Sequence, residues 1–381
     1  MKKYFIFLLS FIMFISAPAT VYSAEKADKD KKETKVKSSI LMCMDTRDVI
    51  SEENAKEHLS PASVTKIMSL LLIMEAIDSG QINLDDMVAA SENSVSKGGS
   101  QIWLEVGEKM SVNDLLKAVV IASANDACTL LGEYIAGSDT AFVGMMNDKV
   151  KELGLKDSNF ENCTGLDDDI TNHYSCAYDL AIIASEVMKY DLIKEYSTVW
   201  LDSLRDGKTE LNNTNKLVNK YNGITGLKTG TTSNAGFCLC ATAERDGLKL
   251  VSVVLGAQTS DDRFNKSVEL LDYGFANYKL AAIDIDENEI NTVKVKCGVQ
   301  KSIKPILQSS KYILVSKGAS EFEYEYKVEN EISAPVKKGD ELGEVIVTCD
   351  GKQAAVVKLI ADENIDAVTF GYIFNKLLKF V

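Results

Sequence analysis

Ser63 and Lys66 stand three residues apart in Pro61-Ala62-Ser63-Val64-Thr65-Lys66. On a helix, that spacing puts both side chains on one face. A lysine held in a dry site loses solvation and its pKa falls, so it can take a proton from a neighbouring hydroxyl. A helix N-terminus adds free N–H groups and positive potential for a developing oxyanion. Taken alone, the tetrapeptide reads equally as an N-cap serine followed by a surface lysine. Two later stretches bear on the choice: Ser123-Ala124-Asn125 and Lys228-Thr229-Gly230.

The elements that would position these residues can be read along the chain. Ser39 to Asp45 is apolar enough for a buried strand, and Asp45-Thr46-Arg47 turns it. Ile67 to Ile77 is apolar nearly all round, which marks a buried helix opened by Ser63 and stopped near Gly80. Residues 81–112 are loop-rich with one or two short strands. A second apolar helix runs from Val112 to about Ala122 and meets Ser123-Ala124-Asn125, with another helix over Cys128 to Ile135. Ser123 and Asn125 at that junction fit an ordinary cap, and they also fit two polar side chains aimed into a cleft. Residues 139–160 and Ser175 to Tyr190 read as helices. Lys228 and Thr229 fall on or just before a strand, a rail able to pair an extended peptide. Glu244-Arg245-Asp246-Gly247 is a hairpin turn, Lys249 to Gly256 the return strand, and Asp262 to Phe275 a closing helix.

Composition excludes several functions. A net charge of −14 argues against nucleic acid, which needs a basic surface. Eight scattered cysteines without a C-x-x-C are neither a disulfide scaffold nor a zinc ribbon; Cys238 and Cys240 share one strand face as buried thiols. Two histidines, His58 and His173, leave no His-rich zinc site, and Asp167-Asp168-Asp169 lacks EF-hand spacing and reads as a solvated loop. With 381 residues and 46% hydrophobic content, the chain can bury a core in each of two domains.

The ends have their own character. Residues 1–24 show an export signal: Lys2 and Lys3, an apolar run from Tyr4 to Ile15, then Val21, Ser23 and Ala24 at the expected cleavage. Residues 25–37 are a charged tether. Residues 38–278 form the main domain, and 279–362 alternate strand-like runs with polar turns, a small β domain. Residues 363–381 read as an amphipathic helix, with Ala367, Phe370, Phe374, Leu377, Leu378 and Val381 on one face; it would either lie in a membrane interface or pack on the β domain or a partner.

Ser63-x-x-Lys66, Ser123-x-Asn125 and Lys228-Thr229-Gly230, in this order in an exported chain, resemble the serine penicillin-recognising enzymes. Lys97-Gly98-Gly99-Ser100, Asn172-His173-Tyr174-Ser175, Tyr178-Asp179-Leu180-Ala181 and Gly226 to Gly236 extend the resemblance to the low-molecular-mass D-alanyl-D-alanine carboxypeptidases, peptidase family S11. The resemblance spans residues 38–278 and implies an α/β (α+β) penicillin-binding/β-lactamase-like transpeptidase fold with a trailing β domain and terminal helix. It implies a catalytic group of Ser63 as nucleophile, Lys66 as general base, Ser123 as proton relay and Asn125 as orienting amide. Lys66 would be kept neutral by burial and by a positive Lys228 nearby. Lys228 and Thr229 would hold the substrate carboxylate. Gly230 would let substrate approach the strand, and the N–H groups of Ser63 and Thr231 would form the oxyanion hole. No metal and no cofactor is implied. The implied partners are the peptidoglycan pentapeptide as substrate, β-lactams as covalent inhibitors, and a membrane surface, on the outer face of the cytoplasmic membrane.

Two other readings compete. A class A β-lactamase would carry a deacylating glutamate, but Glu210-Leu211-Asn212 has Lys208 where that glutamate belongs. A catalytically silent wall-binding module would not need Ser63, Lys66, Ser123, Asn125 and Lys228 intact. A Ser-His-Asp triad through His173 conflicts with Lys66 in the base position, which leaves His173 a structural or pocket role.

Overall fold

In the main sheet the strands over residues 38–43, 236–245 and 248–257 are buried at nearly every position because both faces are covered. A computed structural model describes residues 35–167, 171–308 and 312–373. The first hairpin pairs β1 (Ser38–Cys43) with β2 (Val49–Glu53). A 3-10 turn over Ala62–Thr65 leads into α1 (Lys66–Asp78). β3 (Met87–Ala89), α2 (Glu92–Val95) and β4 (Lys109–Ser111) make up the loop-rich passage. α3 (Val112–Lys117) ends in a π turn over Ala118–Ala122, followed by α4 (Asn125–Ala136), α5 (Asp139–Glu152), α6 (Ala177–Val187) and α7 (Asp191–Ser197). The hairpin of β5 (Leu201–Leu204) and β6 (Thr209–Asn212) precedes β7 (Ile224–Thr232), β8 (Gly236–Arg245), β9 (Leu248–Ala257) and α8 (Ser260–Asn277).

The main sheet is antiparallel, in the order β2-β1-β9-β8-β7. Alternation divides its side chains between two cores. Ile40, Met42, Cys238, Cys240, Val251 and Val253 face the helical layer built around α1, α4 and α6. Leu41, Leu239, Ala241, Leu250 and Val254 face Leu271 and Phe275 of α8. Cys238 and Cys240 therefore share a face, as buried free thiols.

Several boundaries differ from the sequence reading. The helix expected over 139–160 stops at Glu152, because Gly154 turns the chain at φ +70°. The Asn147 side chain then bonds both backbone groups of Phe160, at 2.9 and 2.8 Å, and holds the return segment extended. Neither α7 nor the β5–β6 hairpin was anticipated. Lys37, expected in the tether, already donates its N–H to the Leu255 carbonyl at 3.1 Å.

The chain leaves α8 directly into β10 (Tyr278–Ala282) and the β-rich part, with β11 (Val293–Lys296), β12 (Ser302–Ile303), β13 (Ile306–Leu307) and β14 (Tyr312–Ser316). β15 (Phe322–Val328), β16 (Glu331–Ser333), β17 (Glu341–Cys349) and β18 (Lys352–Ile360) complete it. β10 pairs with β14, β13-β18-β17-β15 form one sheet, and β12-β11-β16 another. The terminal helix does not begin at 363. Ile365 bridges Val336 and is fully buried in a small core, and Ala367 bridges Gly298, so both are extended. Helical structure starts only at Phe370, and residues 374–381 of the expected apolar face lie outside the described residues, as does the expected export signal. Among the described residues, no helix is long and apolar enough to cross a membrane.

Candidate active site

The α-helix begins at Lys66, so Ser63 lies in the 3-10 turn ahead of it. In a 3-10 turn, side chains at i and i+3 eclipse. Lys66 Nζ accordingly lies 3.0 Å from Ser63 Oγ, and it donates to the Thr164 carbonyl at 2.8 Å. Lys66 is completely buried while Ser63 is partly open to solvent. Burial brings the Lys66 amine down to about 8. The surface-lysine reading is thereby excluded.

Ser123 and Asn125 sit where the π turn gives way to α4. The wider turn leaves Ser123 in the left-handed region, at φ +63°. Serine seldom adopts that conformation, which persists where the surroundings enforce it. The Ser123 hydroxyl and Asn125 Oδ1 are buried and accept or donate no hydrogen bond among the described residues. Buried polar atoms of this kind are rare and call for an explanation. Asn125 Nδ2 is committed to the Gly98 carbonyl at 2.7 Å, and its backbone N–H to Ser100 at 2.7 Å. The Lys97–Ser100 segment is thus the brace of the Asn125 amide.

β7 is an edge strand, and it carries Lys228, Thr229, Gly230 and Thr231. Lys228 is 1% exposed and donates to the Thr229 carbonyl at 3.1 Å. Burial and the neighbouring Lys66 push its amine well below the usual lysine range. Thr229 Oγ1 donates to Thr214 Oγ1 at 2.7 Å, and the Thr214 N–H reaches the Ile121 carbonyl at 3.3 Å, tying β7 to the π turn. A Cβ on Gly230 would meet the Pro61 carbonyl at 2.8 Å and the Ser63 nitrogen at 3.0 Å. The missing side chain therefore allows β7 to pack on the Ser63 turn.

One participant, Arg263, was not visible in the motifs. Arg263 Nη1 donates to the carbonyls of Gly230 (3.0 Å) and Cys238 (3.1 Å) and to Thr231 Oγ1 (3.1 Å). Its signal was available: an arginine in the first turn of α8 opposes the helix dipole. Asp167 is no freely solvated acid, since its Oδ2 accepts from Ser60 Oγ (3.2 Å) and Thr232 Oγ1 (2.5 Å). His173 Nδ1 accepts the Glu161 N–H at 3.1 Å, so Nε2–H donates to Thr65 Oγ1 at 2.8 Å. Burial lowers its pKa to about 4. The ring is a neutral strut behind the Ser63 turn. Glu210 is exposed on β6, a position unlike that of a deacylating base.

The serine–lysine pair therefore lies against the edge strand β7, with the Lys66 and Lys228 amines near enough to repel. Residues 23–259 match the family described as D-alanyl-D-alanine carboxypeptidase. The chain belongs to that family. Residues 285–367 match the C-terminal domain of penicillin-binding protein 5. D-alanyl-D-alanine carboxypeptidase DacF of Bacillus subtilis is 40% identical over 376 residues, covering 97% of this chain and 96% of the relative. The crystal structure of penicillin binding protein 5 from Haemophilus influenzae superposes with a TM-score of 0.76 at 31% identity, covering 88% of this chain and 98% of that one. Penicillin-binding protein D2 of Listeria monocytogenes, solved in its cefotaxime-bound form, matches at a TM-score of 0.58 and 30% identity, covering 63% of this chain and 97% of that one. The protein is a serine-type D-Ala-D-Ala carboxypeptidase of the penicillin-binding-protein class.

Proposed function

We propose that this carboxypeptidase removes the terminal D-alanine of peptidoglycan stem peptides through an acyl-enzyme on Ser63. The observation that carries the reading is the 3.0 Å contact between Ser63 Oγ and a fully buried lysine amine. Lys66 Nζ takes the Ser63 proton as the oxygen attacks the penultimate D-Ala carbonyl. The backbone N–H groups of Ser63 and Thr231 receive the oxyanion. Ser123 Oγ relays the proton to the leaving D-alanine amine. Asn125 Oδ1, left over from the Gly98 bond, orients Lys66 and the substrate amide. Lys228 and Thr229 hold the terminal carboxylate, a group that carboxypeptidase substrates have and endopeptidase sites lack. A carboxylate beside Lys228 draws the proton to that amine, and the resulting charge lowers Lys66 further. D-Alanine departs, and water hydrolyses the ester. β-Lactams acylate the same oxygen and turn over slowly.

The same reading places the protein outside the cytoplasmic membrane. Residues 1–24 direct export, residues after Phe370 associate with the membrane surface, and residues 279–362 act as a separate β module. D-alanine release from a diacetylated Lys-D-Ala-D-Ala tripeptide tests the proposal, with Ser63→Ala alongside. Release abolished by the substitution is the expected result. Rapid penicillin hydrolysis without release would move the reading to a β-lactamase. A folded protein with neither activity would be a wall-binding module.

A further inference from the structure

The loop between α2 and β4 displays Trp103 to solvent in a conformation enforced by its surroundings. Trp103 has φ +58°, a region that bulky residues avoid. Its side chain is 71% exposed, while Ile102 and Leu104 on either side are buried. The backbone is clamped from two directions. The buried Asp126 carboxylate accepts the N–H of Ile102 at 3.2 Å and of Leu104 at 3.1 Å. Arg205 donates to the Ile102 carbonyl at 2.8 Å and to the Trp103 carbonyl at 3.4 Å. Glu108 holds Arg205 in turn, at 2.7 and 3.0 Å, which also answers its charge. Strain over-determined in this way is characteristic of ligand clamps. The loop is also tied to Asn125. The Ser100 carbonyl accepts the Asn125 N–H, and Trp103 follows three residues later, a reach of at most about 11 Å.

We infer that Trp103, with Glu105, forms a subsite for an ammonium-bearing side chain on the residue that precedes D-Ala-D-Ala. An indole face attracts a cation, and tryptophan does so best among the aromatic residues. Glu105, two residues on and exposed, adds a carboxylate to the same loop. A rigid loop presents both groups at low entropic cost. The inference rests on the carboxypeptidase reading and adds a preference that Ser63, Lys66 and the β7 residues do not supply.

The test compares kcat/KM for Nα-acetyl-Lys-D-Ala-D-Ala, which keeps the side-chain ammonium, with the Nα,Nε-diacetyl tripeptide. Rates are taken per site labelled by fluorescent penicillin, so misfolded protein is not counted. The wild-type protein favours the free amine. Trp103→Ala lowers that preference ratio about two- to fivefold, the size of an exposed cation–π contact. Trp103→Phe retains part of the preference, and Glu105→Gln lowers it. A ratio unmoved by both Trp103→Ala and Glu105→Gln overturns the subsite, as does an equal loss on both substrates. Absence of D-alanine release from either tripeptide by the wild type would instead overturn the carboxypeptidase reading, and this inference with it.

Discussion

The Cβ that Gly230 lacks would sit 3.0 Å from the backbone nitrogen of Ser63. β7 and the nucleophile turn are therefore in backbone contact, and the spacing between the two proposed oxyanion donors depends on a hydrogen atom at residue 230. Gly230→Ala must push β7 and the turn apart. The expected acylation rate by penicillin falls on the order of 100-fold, the effect of losing one oxyanion donor. Stability falls by about 1–3 kcal/mol from overpacking. Stopped-flow labelling and urea unfolding measure the two effects. An unchanged acylation rate would show that the turn slides without disturbing the donors.

The Lys66 amine titrates near 8 in the free site, and its neutral form is the proposed base. Acylation should therefore rise with pH and level off above that value, falling about tenfold per pH unit below it. Burial and Lys66 hold the Lys228 amine well below the usual lysine range, and burial alone lowers Lys66, so Lys228→Met should leave the inflection of the free site in place. The pH profile of penicillin acylation in the two proteins is the measurement. An inflection that moves in Lys228→Met would mean that Lys228 carries charge in the free site.

The motifs carried much of the site because each one sits on a short, stiff piece of backbone. The buried helix that carries Lys66 was legible in the run Ile67 to Ile77, whereas the 3-10 turn that holds Ser63 was not. Strand faces were legible too: Cys238 and Cys240 alternate with Leu239 as a two-sided strand requires. Long-range support was not. The π turn that strains Ser123 adds one residue to a helix and leaves no compositional mark. The partners of Asn125 and Lys66 are carbonyls of Gly98 and Thr164, and backbone acceptors have no residue signature. The terminal helix was placed too early because Ala367 fits its apolar face, yet Ile365 and Ala367 are bridged to the β domain.

Arg263 binds three groups of β7 and β8 from the first turn of α8. Arg263→Ala removes all three bonds, although the Gly230 carbonyl still accepts from Thr231 Oγ1 at 2.7 Å. At about 1 kcal/mol per bond, a destabilisation of roughly 2–4 kcal/mol is expected. The Thr231 donor loses its backing, so penicillin acylation slows as well. Arg263→Lys keeps the charge with fewer, unforked donors and falls between the two. Urea unfolding with acylation kinetics checks this. A loss of stability with unchanged acylation would confine Arg263 to holding the sheet.

His173 ties stability to acid. Its pKa is about 4 in the folded protein, against 6.5 ordinarily, and burial is the cause. Between those values the unfolded chain binds the proton that the folded one refuses, so stability rises with pH across the window. The contribution is fully present above 6.5 and is lost as pH falls toward 4, a change of about 3 kcal/mol. His173→Gln can still accept from the Glu161 N–H and donate to Thr65 Oγ1, with nothing to titrate. The substitution should flatten the dependence of the unfolding midpoint on pH over that window. An equally steep dependence in the variant would assign the acid sensitivity to other groups.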